Sequence, residues 1–142
     1  GVYIRVHAKS RRKAERKLRK LTSRSQGRKL ETMLNNIKVF MRGWLRYYAI
    51  ADMGKYLEDL NSWLRRRIRM YIWKQWKLSR TRVENLKKLG MSDKKAYMNG
   101  NTRKGYWAVA GSGILNTTIT NERLERRGYY DISKAYKSLH SI

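Results

Sequence analysis

At 142 residues the chain fits one ordinary domain or two small ones, and its 35 Lys and Arg against 10 Asp and Glu give a formal charge of +25. Such an excess repels itself unless a polyanion neutralises it, which points to nucleic acid or an anionic membrane, while 41% hydrophobic residues, five Trp and ten Tyr exclude a disordered basic tail. Cys is absent, no run reaches the ~20 apolar residues of a membrane span and the first residues are no signal peptide, so a cytoplasmic protein without disulfides or a membrane partner is expected.

From Gly1 to His7, Val2, Ile4 and Val6 alternate with Tyr3, Arg5 and His7, the period of a strand. No other segment offers it a partner and there is no initiator Met. Residues 1–8 are therefore expected to end a sheet whose other strands lie upstream, making this the C-terminal piece of a larger protein. Ser10 is a candidate N-cap for a helix through about Leu21, with Ala14, Leu18 and Leu21 as its apolar line. Eight of the twelve residues from Lys9 to Lys20 are basic, more than solubility needs, which favours phosphate contact over a merely solvated face. A polar connector follows, with Gly27 as its flexible point.

The strongest periodicity predicts a helix from about Arg28 to Ile50. Leu30, Met33, Leu34, Ile37, Met41, Trp44, Leu45 and Tyr48 fall on one side, and Arg28, Asn35, Arg42 and Arg46 on the other. Asp52 is then a plausible N-cap for a long helix to Lys77, packed against the one before. Met53, Leu57, Leu60, Leu64, Ile68, Tyr71 and Ile72 share one stripe of this helix; Arg66, Arg69, Trp73 and Lys77 collect opposite. A tryptophan among cations can stack on a base while its neighbours meet phosphates, or it can mark a second packing surface. The sequence leaves both open.

Residues 1–82 carry 24 basic and 5 acidic residues and residues 83–142 carry 11 and 5, which places a domain boundary near Ser79. The tail reads as short helices over Thr81 to Leu89, Ser92 to Met98, Asn121 to Arg127 and Asp131 to about Leu139, with Gly90, Gly100 and Gly128 as stops. Between the second and third, Asn101, Arg103, Lys104, Tyr106 and Trp107 set cations beside aromatics on a glycine-flanked segment, a second candidate contact or the anchor of a small core. The expected architecture is mainly α: a three-helix bundle over 9–78 behind a strand stub, then a small domain of short helices over 79–142.

Catalytic patterns are missing. His7 and His140 stand at opposite ends without a carboxylate pattern, and adjacent Glu58 and Asp59 point ~100° apart on a helix, wrong for a paired acid and base. No metal site or catalytic residue is assigned. The cations make an electrostatic footprint instead, with Lys9, Arg11, Arg12, Arg24, Arg28, Arg42, Arg46, Arg65, Arg66, Arg69 and Lys77 as candidate phosphate contacts and Trp73 as a candidate stacking residue.

Thr22-Ser23-Arg24-Ser25, Gly27, Leu30 and then Gly43-Trp44-Leu45-Arg46-Tyr47-Tyr48 resemble the maturase-specific domain of bacterial group II intron reverse transcriptases. Trp63, Arg65 to Arg67 and Trp73 to Trp76 continue the likeness, which covers about Ile4 to Lys77. Gly100 to Trp107 and Asn121-Glu122-Arg123-Leu124 are similar to the DNA-binding region that follows in such enzymes. The resemblance implies that the bundle is the polymerase thumb, or domain X, binding intron RNA and template-primer in support of splicing, RNA-directed DNA synthesis and retrohoming. It further implies DNA contact through Asn101, Arg103, Lys104, Tyr106 and Trp107, with target DNA and the fingers and palm of the same polypeptide as partners, and a nucleoid- or ribonucleoprotein-associated protein. The palm's metal-binding aspartates are not in this sequence, so the fragment itself needs no cofactor and Mg²⁺ is expected in the missing palm. The other reading is a non-enzymatic basic RNA-binding component of a ribonucleoprotein.

Overall fold

The computed structural model describes residues 5–23 and 27–140, and among these the only regular elements are helices. They are α1 (Ala8–Leu21), α2 (Leu30–Tyr48), α3 (Gly54–Trp76), α4 (Ser79–Lys88), α5 (Asp93–Gly100), α6 (Tyr106–Ala110), α7 (Gly113–Asn116), α8 (Asn121–Arg127) and α9 (Ile132–His140). The mainly α class is as the periodicity predicts. The strand stub is not supported: Arg5–His7 are irregular, and the rest of that segment lies outside the described residues. The chain divides into two compact units, Gly1–Leu64 with Glu125–Ile142, and Arg65–Leu124. This division falls away from Ser79, within α3 and again within α8.

In the first unit α1 starts before Ser10, because the extended His7 caps it: the imidazole Nδ1 accepts from the Lys9 amide at 3.1 Å. At the other end the buried Thr22 hydroxyl donates to the Leu18 carbonyl at 2.7 Å, which also accepts from the Thr22 amide at 3.0 Å. Ala14 and Leu18 of α1, six residues of α2 from Leu30 to Leu45, and Leu57, Leu60 and Leu64 of α3 are all buried. At ~1.5–3 kcal/mol for each fully buried large aliphatic, this core outweighs anything the surface charges contribute locally.

Helix α9 belongs to the same unit. The Tyr136 hydroxyl donates to the Ala51 carbonyl at 2.8 Å and accepts from the Met53 amide at 3.4 Å, fixing the α2–α3 turn. Buried Asn61 accepts from the Tyr129 hydroxyl and donates to the Asp131 carboxylate, both at 2.6 Å.

The second unit holds the rest of α3, then α4 to α7 and the start of α8. Lys77 ends α3 in the left-handed region at φ 54°, an unusual conformation for a side chain with a Cβ. Gly90 turns the chain between α4 and α5 at φ 103°. Gly100 then lets the two helices meet: a Cβ there would lie 2.5 Å from Val83 Cγ2 and 2.9 Å from the Val83 amide nitrogen. The glycine-flanked segment after Gly100 contains two short helices, α6 and α7, and its Val109, Ala110, Leu115 and Ile119 are buried.

Candidate nucleic-acid interface

Basic side chains fall into two groups, those that the protein engages itself and those that face solvent. Helix α1 shows the second kind most clearly. Stepping ~100° per residue from buried Ala14, Arg19, Arg12, Arg16, Lys9, Lys20 and Lys13 fall within an arc of about 120° on the far side. All six are exposed, Arg19 at the margin of the arc with its guanidinium 5.3 Å from the centre of the Trp63 ring. With no acidic residue in that arc, one side of a 14-residue helix is a continuous cationic ridge about 21 Å long. Arg11 lies outside it, half-buried, with its guanidinium 5.3 Å from the centre of the Tyr56 ring. Tyr56 in turn donates to Glu15 at 3.3 Å, and burial followed by the nearby Glu15 charge pushes its phenol well above the usual tyrosine range. It is a neutral donor at any physiological pH.

Arg42 and Arg46, one turn apart on α2, are also exposed and have no ion-pair partner among the described residues. Arg28 is exposed, and Arg24 lies outside the described residues. Trp44 and Tyr48 are half-buried on the other flank of α2, their ring centres 4.6 Å apart.

The second unit decides the reading of α3. Its expected apolar stripe is buried throughout, and of the two readings left open for the opposite face the packing surface holds at Trp73, 1% exposed, and Arg69, 6% exposed. Arg69 donates from Nε to the Ile119 carbonyl at 2.7 Å and from Nη2 to the Asn121 amide oxygen at 2.8 Å. Arg66 donates twice to the Trp107 carbonyl, at 2.7 and 3.0 Å, with its guanidinium 3.9 Å from the Trp107 ring centre. These are carbonyl staples. A buried indole cannot stack on a base, so Trp73 is a packing residue. Arg65 is half-buried, and Lys77 is exposed at the end of α3.

Two further staples lie outside the expected sites. Arg82 engages the Trp73 carbonyl in the last turn of α3, and Arg123 the Leu89 carbonyl at the end of α4 and that of Thr118, at 2.9 and 2.8 Å. Helix C-termini leave their last carbonyls without intrahelical donors, and a guanidinium fork supplies them. Nothing in sequence spacing announces such pairs.

In the tail, Arg103 and Lys104 are exposed, Tyr106 is half-buried and Trp107 is 39% exposed beside Arg66. Asn101 is exposed, but its amide donates to the Tyr97 carbonyl at 2.7 Å. The geometry therefore keeps Lys9, Arg12, Arg42, Arg46, Lys77, Arg103 and Lys104 accessible to a ligand. It adds Lys13, Arg16, Arg19 and Lys20, which the helical period of α1 would have placed on the ridge.

No group of three or more His, Cys, Asp or Glu converges among the described residues, and no helix is long and apolar enough to cross a membrane. A search of curated proteins finds no match. The sequence profile of the family described as "Group II intron, maturase-specific domain" matches residues 11–90, more than half of the chain, from within the first turn of α1 to the turn after α4. This chain, a helical protein with a cationic ridge on α1, belongs to the group II intron maturase-specific domain family.

Proposed function

We propose that the chain is the thumb, or domain X, of a group II intron-encoded reverse transcriptase and maturase, and that it holds intron RNA during splicing. The observation that carries this reading is the α1 ridge: six exposed cations on one side of a helix whose other side is core. A rigid helix with cations at that density tracks a phosphate backbone without reading sequence. Arg42 and Arg46 extend the contact along α2, and the same surface meets template-primer when the polymerase copies RNA. Target DNA is assigned to Arg103, Lys104 and the open edge of Trp107 in the second unit. The reaction itself, with its Mg²⁺, belongs to the fingers and palm of the same polypeptide, and this chain supports splicing and retrohoming by binding. Titration of the chain with a structured group II intron RNA tests the reading. Binding that weakens steeply with salt is expected, and Arg12→Gln with Arg16→Gln should weaken it further. An affinity that the double substitution leaves intact would remove the ridge from the interface.

A further inference from the structure

A cavity of about 430 Å³ lies in the first unit where the C-terminal turns of α2 meet α9. That is within the size range of small-ligand sites, and its lining is divided by chemistry. Leu45, Ala49 and Ala135 give it an apolar floor, and Arg42, Arg46 and Tyr130 line it as well. The two arginines are an i, i+4 pair, so their guanidinium groups project side by side. They have no ion-pair partner, and the Tyr130 hydroxyl has no hydrogen-bond partner, among the described residues. Burial raises the Tyr130 phenol above the ordinary tyrosine range, against the opposing pull of Arg42, so the hydroxyl stays a donor. Polar groups left free beside an apolar floor fit a ligand that is itself flat, apolar on its faces and anionic at its edge.

We propose that this cavity takes one unstacked nucleotide of the bound RNA, its base against Leu45, Ala49 and Ala135 and its flanking phosphates on Arg42 and Arg46. The inference rests on the RNA-binding reading above and adds to it the kind of RNA. A regular duplex keeps its bases stacked inside and offers the protein only its backbone and grooves, so it would leave the apolar floor empty. A bulge, loop or single-stranded end supplies a base that can turn out, and an aromatic or apolar surface receives it without regard to sequence. The α1 ridge then positions the backbone while the α2–α9 cavity selects for an unpaired position.

The test compares three short RNA hairpins bound to the full chain: one fully paired, one with a single bulged 2-aminopurine, and one with an abasic residue at the bulge. The bulged base should raise affinity about tenfold over the paired hairpin, the scale of one base stacking on protein, and its fluorescence should change on binding. Removing the base should return affinity to the paired level, as should Ala135→Leu, which fills the floor. Equal affinity for the bulged and abasic hairpins would overturn the proposal while leaving RNA binding in place, and this arm needs no variant to fold. Failure to bind any of the three would overturn the RNA reading, and the cavity assignment with it.

Discussion

The guanidinium of Arg82 lies 4.4 Å from the centre of the Trp73 ring and donates to the Trp73 carbonyl at 3.0 and 3.2 Å. One side chain thus covers the indole and satisfies a carbonyl of the last turn of α3. Trp73→Ala should cost ~3–5 kcal/mol of stability, the usual range for deleting a large buried aromatic. Arg82→Ala should cost ~1–3 kcal/mol by leaving the carbonyl unpaired. Denaturant unfolding measures both. RNA affinity of the folded fraction should be unchanged in each, and a selective loss of binding by Trp73→Ala would return that residue to the interface.

Trp73 also shows where sequence reasoning stops. Helical periodicity ranks the faces of one helix by its own residues, and for α2 that suffices: Leu30, Met33, Leu34, Ile37, Met41 and Leu45 are buried as their spacing predicts. The second half of α3 is buried on more than one side, and a helix packed all round is recognisable as such only if its outer contacts are apolar. Here they include arginines donating to distant carbonyls, as in Arg69 to Ile119, fifty positions away. The glycine stops were legible because Gly90 and Gly128 need positive φ, at 103° and 116°. The His7 cap was not, since imidazole is a rare acceptor at that position and Ser10 is the commoner residue type.

Glycine substitutions should separate two kinds of position. Gly100→Ala pushes a Cβ into the Val83 backbone and should lose ~1–3 kcal/mol, the usual cost of overpacking. Gly43 lies inside α2, where an added Cβ would meet nothing within 4 Å, so Gly43→Ala should gain up to ~1 kcal/mol from helix propensity. Thermal melts of the two variants should shift in opposite directions.

Asn61 joins Tyr129 and Asp131 inside the first unit. Asn61→Leu removes both bonds and leaves the Tyr129 hydroxyl buried, for a loss of ~1–3 kcal/mol. Adding Tyr129→Phe should recover part of it, and a double mutant no better than Asn61→Leu alone would show that the lost Tyr129–Asn61 bond is not the cause.

The Arg127 guanidinium bonded to Glu31 holds that carboxyl below its ordinary value. A folded-state value below the unfolded one stabilises the protein above the unfolded value, and that contribution disappears as pH falls through the folded value. The pair is exposed, so its effect on stability is small. In an NMR titration the Glu31 carboxyl should have a midpoint below the ordinary glutamate range, and Arg127→Ala should move it upward; no movement would assign the shift to the backbone instead.

The salt dependence of RNA binding tests the α1 ridge most directly. Each cation withdrawn from the phosphate backbone should flatten the slope of log K against log salt by roughly 0.7–0.9, so Arg12→Gln with Arg16→Gln should flatten it by about 1.4–1.8. A slope that stays the same in the double variant, with the fold intact by circular dichroism, would contradict the account.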